Sequence, residues 1–128
     1  RSSAASDVYK RQLYESIIGL YRGSLLPRYD FYHWLMPKTL YYQNKFLHYM
    51  KRYLSMLYRE KNYLRVQELS MDLLSIDMYE SEVHYHLIKA MLMSGSKTLS
   101  QIYFRQAEPY LTDEHMQEVK TLFTSCRT

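Results

Sequence analysis

His84 and His86 form an H-x-H pair, the spacing in this chain that most invites a metal. On a helix, residues two apart face about 200° from each other, so the two rings do not converge on one ion. The pair reads as two ordinary polar positions. Glu114-His115 sets a carboxylate beside an imidazole, but no nucleophile adjoins it in sequence. The three glycines are isolated, so no glycine-rich loop exists to cradle a phosphate. Asp72, Asp77, Glu80 and Glu82 lack calcium-loop spacing and read as a solvated face. Cys126 is the lone cysteine, which excludes an intrachain disulfide. These residues assign no catalytic group, no metal and no cofactor. The chain is expected not to be an enzyme.

Tyrosine is the unusual component, with 15 in 128 residues. Basic residues interleave with it, as in Tyr49-Met50-Lys51-Arg52-Tyr53. Such a run can stack single-stranded bases. Tyrosine also fills helix-packing positions while its hydroxyl stays wet, and that reading is favoured here.

The elements that position these residues are helical. Glycine and proline number only 3 each, and no segment alternates apolar and polar residues long enough to require a strand. Apolar residues recur at helical spacing over 13–22, about 37–60, 63–75, up to about Met93, 98–107, and a last segment carrying Met116, Val119, Leu122 and Phe123. Leu99, Ile102 and Tyr103 are the expected inner face of the fifth helix. Thr112 or Asp113 is the expected cap of the last. An all-α fold of about six helices follows. Lys61-Asn62 and Gly95-Ser96 are turn signals 34 residues apart, and the connections at 77–80 and 111–114 share that offset. Thirty-four residues is the period of the tetratricopeptide repeat (TPR), whose antiparallel helix pairs bury a shared face by stacking. The expectation is an α-α superhelix of TPR-like pairs. Met50, Leu54, Val66, Leu73, Leu87 and Ile102 would then meet in one interior.

In such a stack the first helix of each pair lines a concave surface. Its exposed inner positions would be His48, Lys51 and Tyr58 from one pair and Glu82, Tyr85 and Lys89 from the next. That surface is suited to an extended peptide or an acidic segment.

Leu20-Tyr21-Arg22-Gly23-Ser24-Leu25-Leu26-Pro27, then Tyr29-Asp30, then Trp34-Leu35-Met36-Pro37, resembles the opening of the bacterial transcriptional activator domain of SARP-type regulators. The resemblance extends over 13–114. It implies a TPR-like regulatory domain that acts by protein–protein contact: self-association, or contact with the transcription machinery. DNA would be bound by a winged-helix domain upstream. The family often continues with a "LG-x-xPS" segment that this chain lacks. A stand-alone TPR-type adaptor that binds peptides, with no role in transcription, is the alternative.

Ser2 to Gln12 resembles a sequencing adaptor translated in frame, and residues 1–12 are expected to be a disordered artefact. The single domain would be 13–128, a fragment of a longer protein. Without Arg1, Asp7, Lys10 and Arg11 the chain keeps 14 basic and 12 acidic residues, and its net charge falls from +4 to +2. Half the basic surplus goes with the segment, which weakens the case for a nucleic-acid surface. No apolar run approaches the roughly 18 residues of a membrane span, and Arg1–Gln12 is too polar for a secretory signal. A cytoplasmic protein is expected, with no membrane partner and no small-molecule ligand that the sequence identifies. The adaptor reading predicts that the genomic locus continues the open frame upstream of Leu13 with a sequence other than Ser2 to Gln12. Sequencing the locus checks this, and finding that same string encoded there would exclude an adaptor.

Overall fold

The computed structural model describes residues 2–20 and 36–125. Among the described residues the fold is all-α, with six α-helices and no strand: α1 (Ser2–Leu20), α2 (Met36–Arg59), α3 (Tyr63–Ile76), α4 (Ser81–Met93), α5 (Lys97–Ala107) and α6 (Asp113–Ser125). A 3-10 turn, Glu108–Tyr110, carries Pro109 between α5 and α6. The chain divides into two compact units, Arg1–Tyr53 and Leu54–Thr128. No described helix is long and apolar enough to cross a membrane. Most of the stretch that carries the family resemblance, 21–35, lies outside the described residues.

The first unit buries Ile18, Phe46, Leu47, Met50 and Tyr53. Tyr53 joins its two helices: its ring stacks on Tyr14 at 4.8 Å, and its hydroxyl donates to Glu15 Oε2 at 2.6 Å. The helix expected from Leu13 begins at Ser2 instead, so the segment expected to be disordered is helical. It contains no Gly or Pro, and a helix already nucleated extends at little cost. Val8 and Tyr9 within it are exposed, so it adds length rather than core.

The second unit is organised around α4, which packs against α3, α5 and α6. Seven of its thirteen residues are buried, including both histidines. They were expected to be ordinary polar positions. A helix enclosed by three neighbours has no wet stripe wide enough to hold them. Ile88 of α4, Ala107 of α5 and Val119 of α6 form one buried cluster, with Phe104 and Phe123 against it. Leu54, Val66, Leu73 and Leu87 are buried as expected. Ile102 is not; it and Leu99 are 46% and 58% exposed. α5 instead turns Ser100, Tyr103, Phe104 and Ala107 inward, because a short helix lying on one neighbour buries a single narrow stripe.

The 34-residue offset recurs in the hydrogen bonds of the turns. Glu60, Lys61 and Asn62 donate backbone N–H groups to the carbonyls of Met56, Tyr58 and Leu57. Ser94, Gly95 and Ser96 donate to Ala90, Leu92 and Met91 in the same pattern. Val66 N–H to Asn62 and Ser100 N–H to Ser96 then open the following helices. Each turn passes through one left-handed residue, Lys61 at φ 62° and Gly95 at φ 93°. This satisfies the carbonyls that a helix end leaves open. Asn62 caps α3 through its side chain, and Thr112 caps α6 by accepting from His115 N–H.

Left-handed backbone penalises a residue with a Cβ and suits glycine. Lys61→Gly is therefore expected to stabilise the fold by roughly 0.5–1 kcal/mol, and Gly95→Ala to destabilise it by about 1 kcal/mol or more. Urea unfolding followed by far-UV circular dichroism reads both signs.

Candidate functional site

α4 and α6 set their first turns together through one hydroxyl. Ser81 Oγ accepts from Thr112 N–H at 2.9 Å and lies 2.6 Å from His115 Nδ1. That hydroxyl keeps a second lone pair and its proton, so it can pair with His115 Nδ1 in either direction. The ring then stacks on Tyr85 at 4.7 Å with planes 15° apart. Ser81 and His115 are 34 residues apart, and neither was singled out as a site residue by its spacing.

Tyr85 is the centre of the face that follows. Lys89 lies one turn further along α4 and folds its ammonium back between two rings. Its Nζ is 4.3 Å from the Tyr85 ring centroid and 4.0 Å from that of Tyr58 on α2. Tyr58 is held from its other side by an edge contact with Tyr63 at 5.5 Å. An ammonium over an aromatic face is worth about 0.5–1 kcal/mol in water and about 2 when desolvated. Burial pushes the Lys89 pKa down, while Glu118 and Glu82 oppose it. Burial, followed by the charge of Glu118 and a hydrogen bond to its carboxylate, pushes the Tyr85 hydroxyl up to about 12; Glu114 acts in the same direction. Two carboxylates, Glu118 and Glu82, therefore act on the ammonium, while Glu118 and Glu114 act on the neighbouring Tyr85 hydroxyl.

Of the residues expected on a concave surface, Tyr58, Glu82, Tyr85 and Lys89 come together in the second unit. They are half-buried rather than openly exposed, because they cover one another. His48 is exposed and makes an edge contact with Tyr49, and Lys51 is half-buried; both belong to the first unit. The preference for an acidic segment fits poorly with the carboxylates of Glu82, Glu114 and Glu118 around this face.

His86 lies beneath it, 4% exposed. Its Nε2 is 3.4 Å from Ser55 Oγ and 3.7 Å from Glu82 Oε2, and its Nδ1 is buried with no hydrogen-bond partner. Both acceptors lie on the Nε2 side, so the hydrogen belongs there. Burial, then the charges of Lys89 and His115, hold the ring's pKa down at about 3. At neutral pH the ring is uncharged, and the approach of Glu82 is not an ion pair.

His84 faces the opposite side of α4. Its Nε2 donates to the Met78 carbonyl at 2.7 Å, since a carbonyl can only accept. Its Nδ1 lies 2.5 Å from the Tyr103 hydroxyl, and its ring stacks on Tyr110 at 5.1 Å. Burial and then Tyr110 raise the Tyr103 pKa to about 12, which keeps that hydroxyl a donor. An open groove of about 420 Å³ passes over this histidine, lined by Met71, Leu74, Met78, Leu87 and Met91. Thioethers and an imidazole suit a soft metal, but both ring nitrogens are already engaged.

Among the described residues, Ser55–His86 and Ser81–His115 are serine–histidine contacts. Neither has the form of an activated nucleophile. A base needs an available proton site near neutral pH and a carboxylate orienting its second nitrogen. His86 titrates far too low and its Nδ1 has no partner. Ser81 Oγ also accepts from Thr112 N–H, which occupies one of the lone pairs an attacking oxygen would use. Among the described residues, no three His, Cys, Asp or Glu side chains are grouped to hold a metal. The arrangement is suited to binding through aromatic faces and charge.

No family model, no curated protein and no solved structure matches this chain.

The His86 pKa predicts a specific acid sensitivity. The unfolded chain takes up the proton near pH 6.5, the folded chain only near 3. Stability is thus complete above about pH 6.5 and falls as the pH drops toward 3, by a few kcal/mol in all. Ser55 and Tyr58 on α2, Glu82, Tyr85 and Lys89 on α4, and His115 on α6 surround the ring. Their own titrations are subtracted by comparison with His86→Leu. Urea titrations at stepped pH should give a slope between pH 6 and 4 that is clearly shallower in the variant.

Proposed function

We propose that this chain is a protein-binding domain of stacked, TPR-like helix pairs, and that it serves as the regulatory part of a bacterial transcriptional activator. The observation that carries the repeat reading is the 34-residue recurrence of turn hydrogen bonds at 60–66 and 94–100. Two units of one period that share their closing bonds are more than similar helix lengths. The placement of α4 beside α6 as well as between α3 and α5 supports the same reading, because first helices of successive pairs lie side by side in such stacks.

The binding surface is the face carried by the first helices, with Tyr58 of α2, Tyr85 and Lys89 of α4, and His115 of α6. Rings fixed by stacking lose little entropy when a partner arrives, which suits them to recognition. The mechanism is protein–protein contact that couples self-association, or a partner's state, to a DNA-binding domain elsewhere in the protein. The activator role rests on the resemblance at Leu20–Pro27 and Trp34–Pro37, residues that lie largely outside those the structure describes. The recurrence at the turns by itself favours only the broader class, and a stand-alone peptide-binding adaptor is the second reading.

The uninterrupted gene separates the two. The activator reading expects about 100 residues with a winged-helix pattern encoded ahead of Leu13. An unrelated upstream sequence would leave the adaptor reading standing alone.

A further inference from the structure

We infer that Tyr58 and Tyr85 form a box for an arginine side chain of a protein partner, and that Lys89 occupies the box in the free chain. The inference rests on the proposed binding face and names the chemistry of what that face takes. A cation is already present between the rings, 4.0 and 4.3 Å from their centroids. The box is therefore shaped for a positive group.

Its electrostatics point the same way. The chain as a whole carries +4, yet Glu82, Glu114 and Glu118 act on this one place. Apart from Lys89 itself, the charged side chains that act on Tyr85 and on the Lys89 ammonium are all acidic. A partner's cation meets attraction here, and a partner's carboxylate meets repulsion. Beneath the rings, the uncharged His86 presents a buried Nδ1 without a partner. It adds no competing charge.

Lys89 is a replaceable occupant. Burial works against its charged form, and its long stem lets the ammonium swing out to water. A guanidinium is more weakly hydrated, stacks flat on tyrosine, and pairs with a carboxylate through two parallel N–H groups. Arginine thus gains from the same rings and carboxylates while losing less hydration. Displacement frees Lys89 for the partner's own acidic groups. Lys89 thereby acts as an internal competitor that sets a threshold for binding.

The sign of one substitution distinguishes this from a surface that uses Lys89 as its ligand-binding charge. The 128-residue chain is titrated with a blocked Gly-Arg-Gly tripeptide and with blocked Gly-Glu-Gly, and tyrosine ring signals are followed by NMR. The arginine peptide is expected to shift the Tyr58 and Tyr85 rings, and the glutamate peptide to leave them unmoved. Lys89→Met is expected to tighten arginine binding by about threefold or more, because it empties the box and removes a like charge. Tyr85→Leu, or Tyr58→Leu should the first not fold, is expected to weaken it by about fivefold. Weaker or unchanged binding in Lys89→Met, preference for the glutamate peptide, or no ring shift would each overturn the inference. The upstream gene content is untouched by any of these results, so the box and the activator role stand or fall separately.

Discussion

The enclosure of α4 governs the second unit. A helix packed by α3, α5 and α6 must hide nearly its whole circumference, and this one carries two histidines at 84 and 86. Buried polar groups that lack partners cost more than hydrogen bonds gain. His84 is fully satisfied by the Met78 carbonyl and the Tyr103 hydroxyl, which ties α4 to the preceding turn and to α5. His86 is satisfied at one nitrogen only and remains uncharged because it is buried. The two rings therefore have opposite effects: one fastens neighbouring elements, and the other makes the unit sensitive to acid.

The same enclosure builds the face proposed for binding. With α4 flanked by α6, Tyr85 is pressed against His115, and Ser81 joins the two first turns. Lys89 cannot extend along a crowded helix, so its ammonium lies over Tyr85 and Tyr58. The ammonium lies over two aromatic faces, and Glu118 and Glu82 favour its charge against the burial that opposes it.

The turns show a different economy. Lys61 and Gly95 adopt the same left-handed role, although only one is glycine. The closing hydrogen bonds at both turns are alike because they are made by backbone groups, which every residue supplies. Side chains decide how comfortably the turn forms, while the backbone decides that it forms at all. This is why the 34-residue spacing holds although Lys61 stands at one turn and Gly95 at the other.

Helix content, the boundaries of α3 to α6, the Thr112 cap and the 34-residue spacing were legible in the sequence, because they depend on contacts within a few residues. Asn62, Gly95 and Pro109 act on their own backbone and need no neighbour. Which side of each helix is dry was legible only in part. Val66, Leu73 and Leu87 follow the apolar stripe, but Leu99 and Ile102 face water and His84 and His86 face inward. Periodicity identifies a stripe; it does not count the helices that will cover it. The grouping of Tyr58, Tyr85, Lys89 and His115 was likewise decided by tertiary structure. These residues are spread over 57 positions, and only the side-by-side packing of α4 and α6, with Tyr58 brought over α4, places their rings and charges within reach of one another.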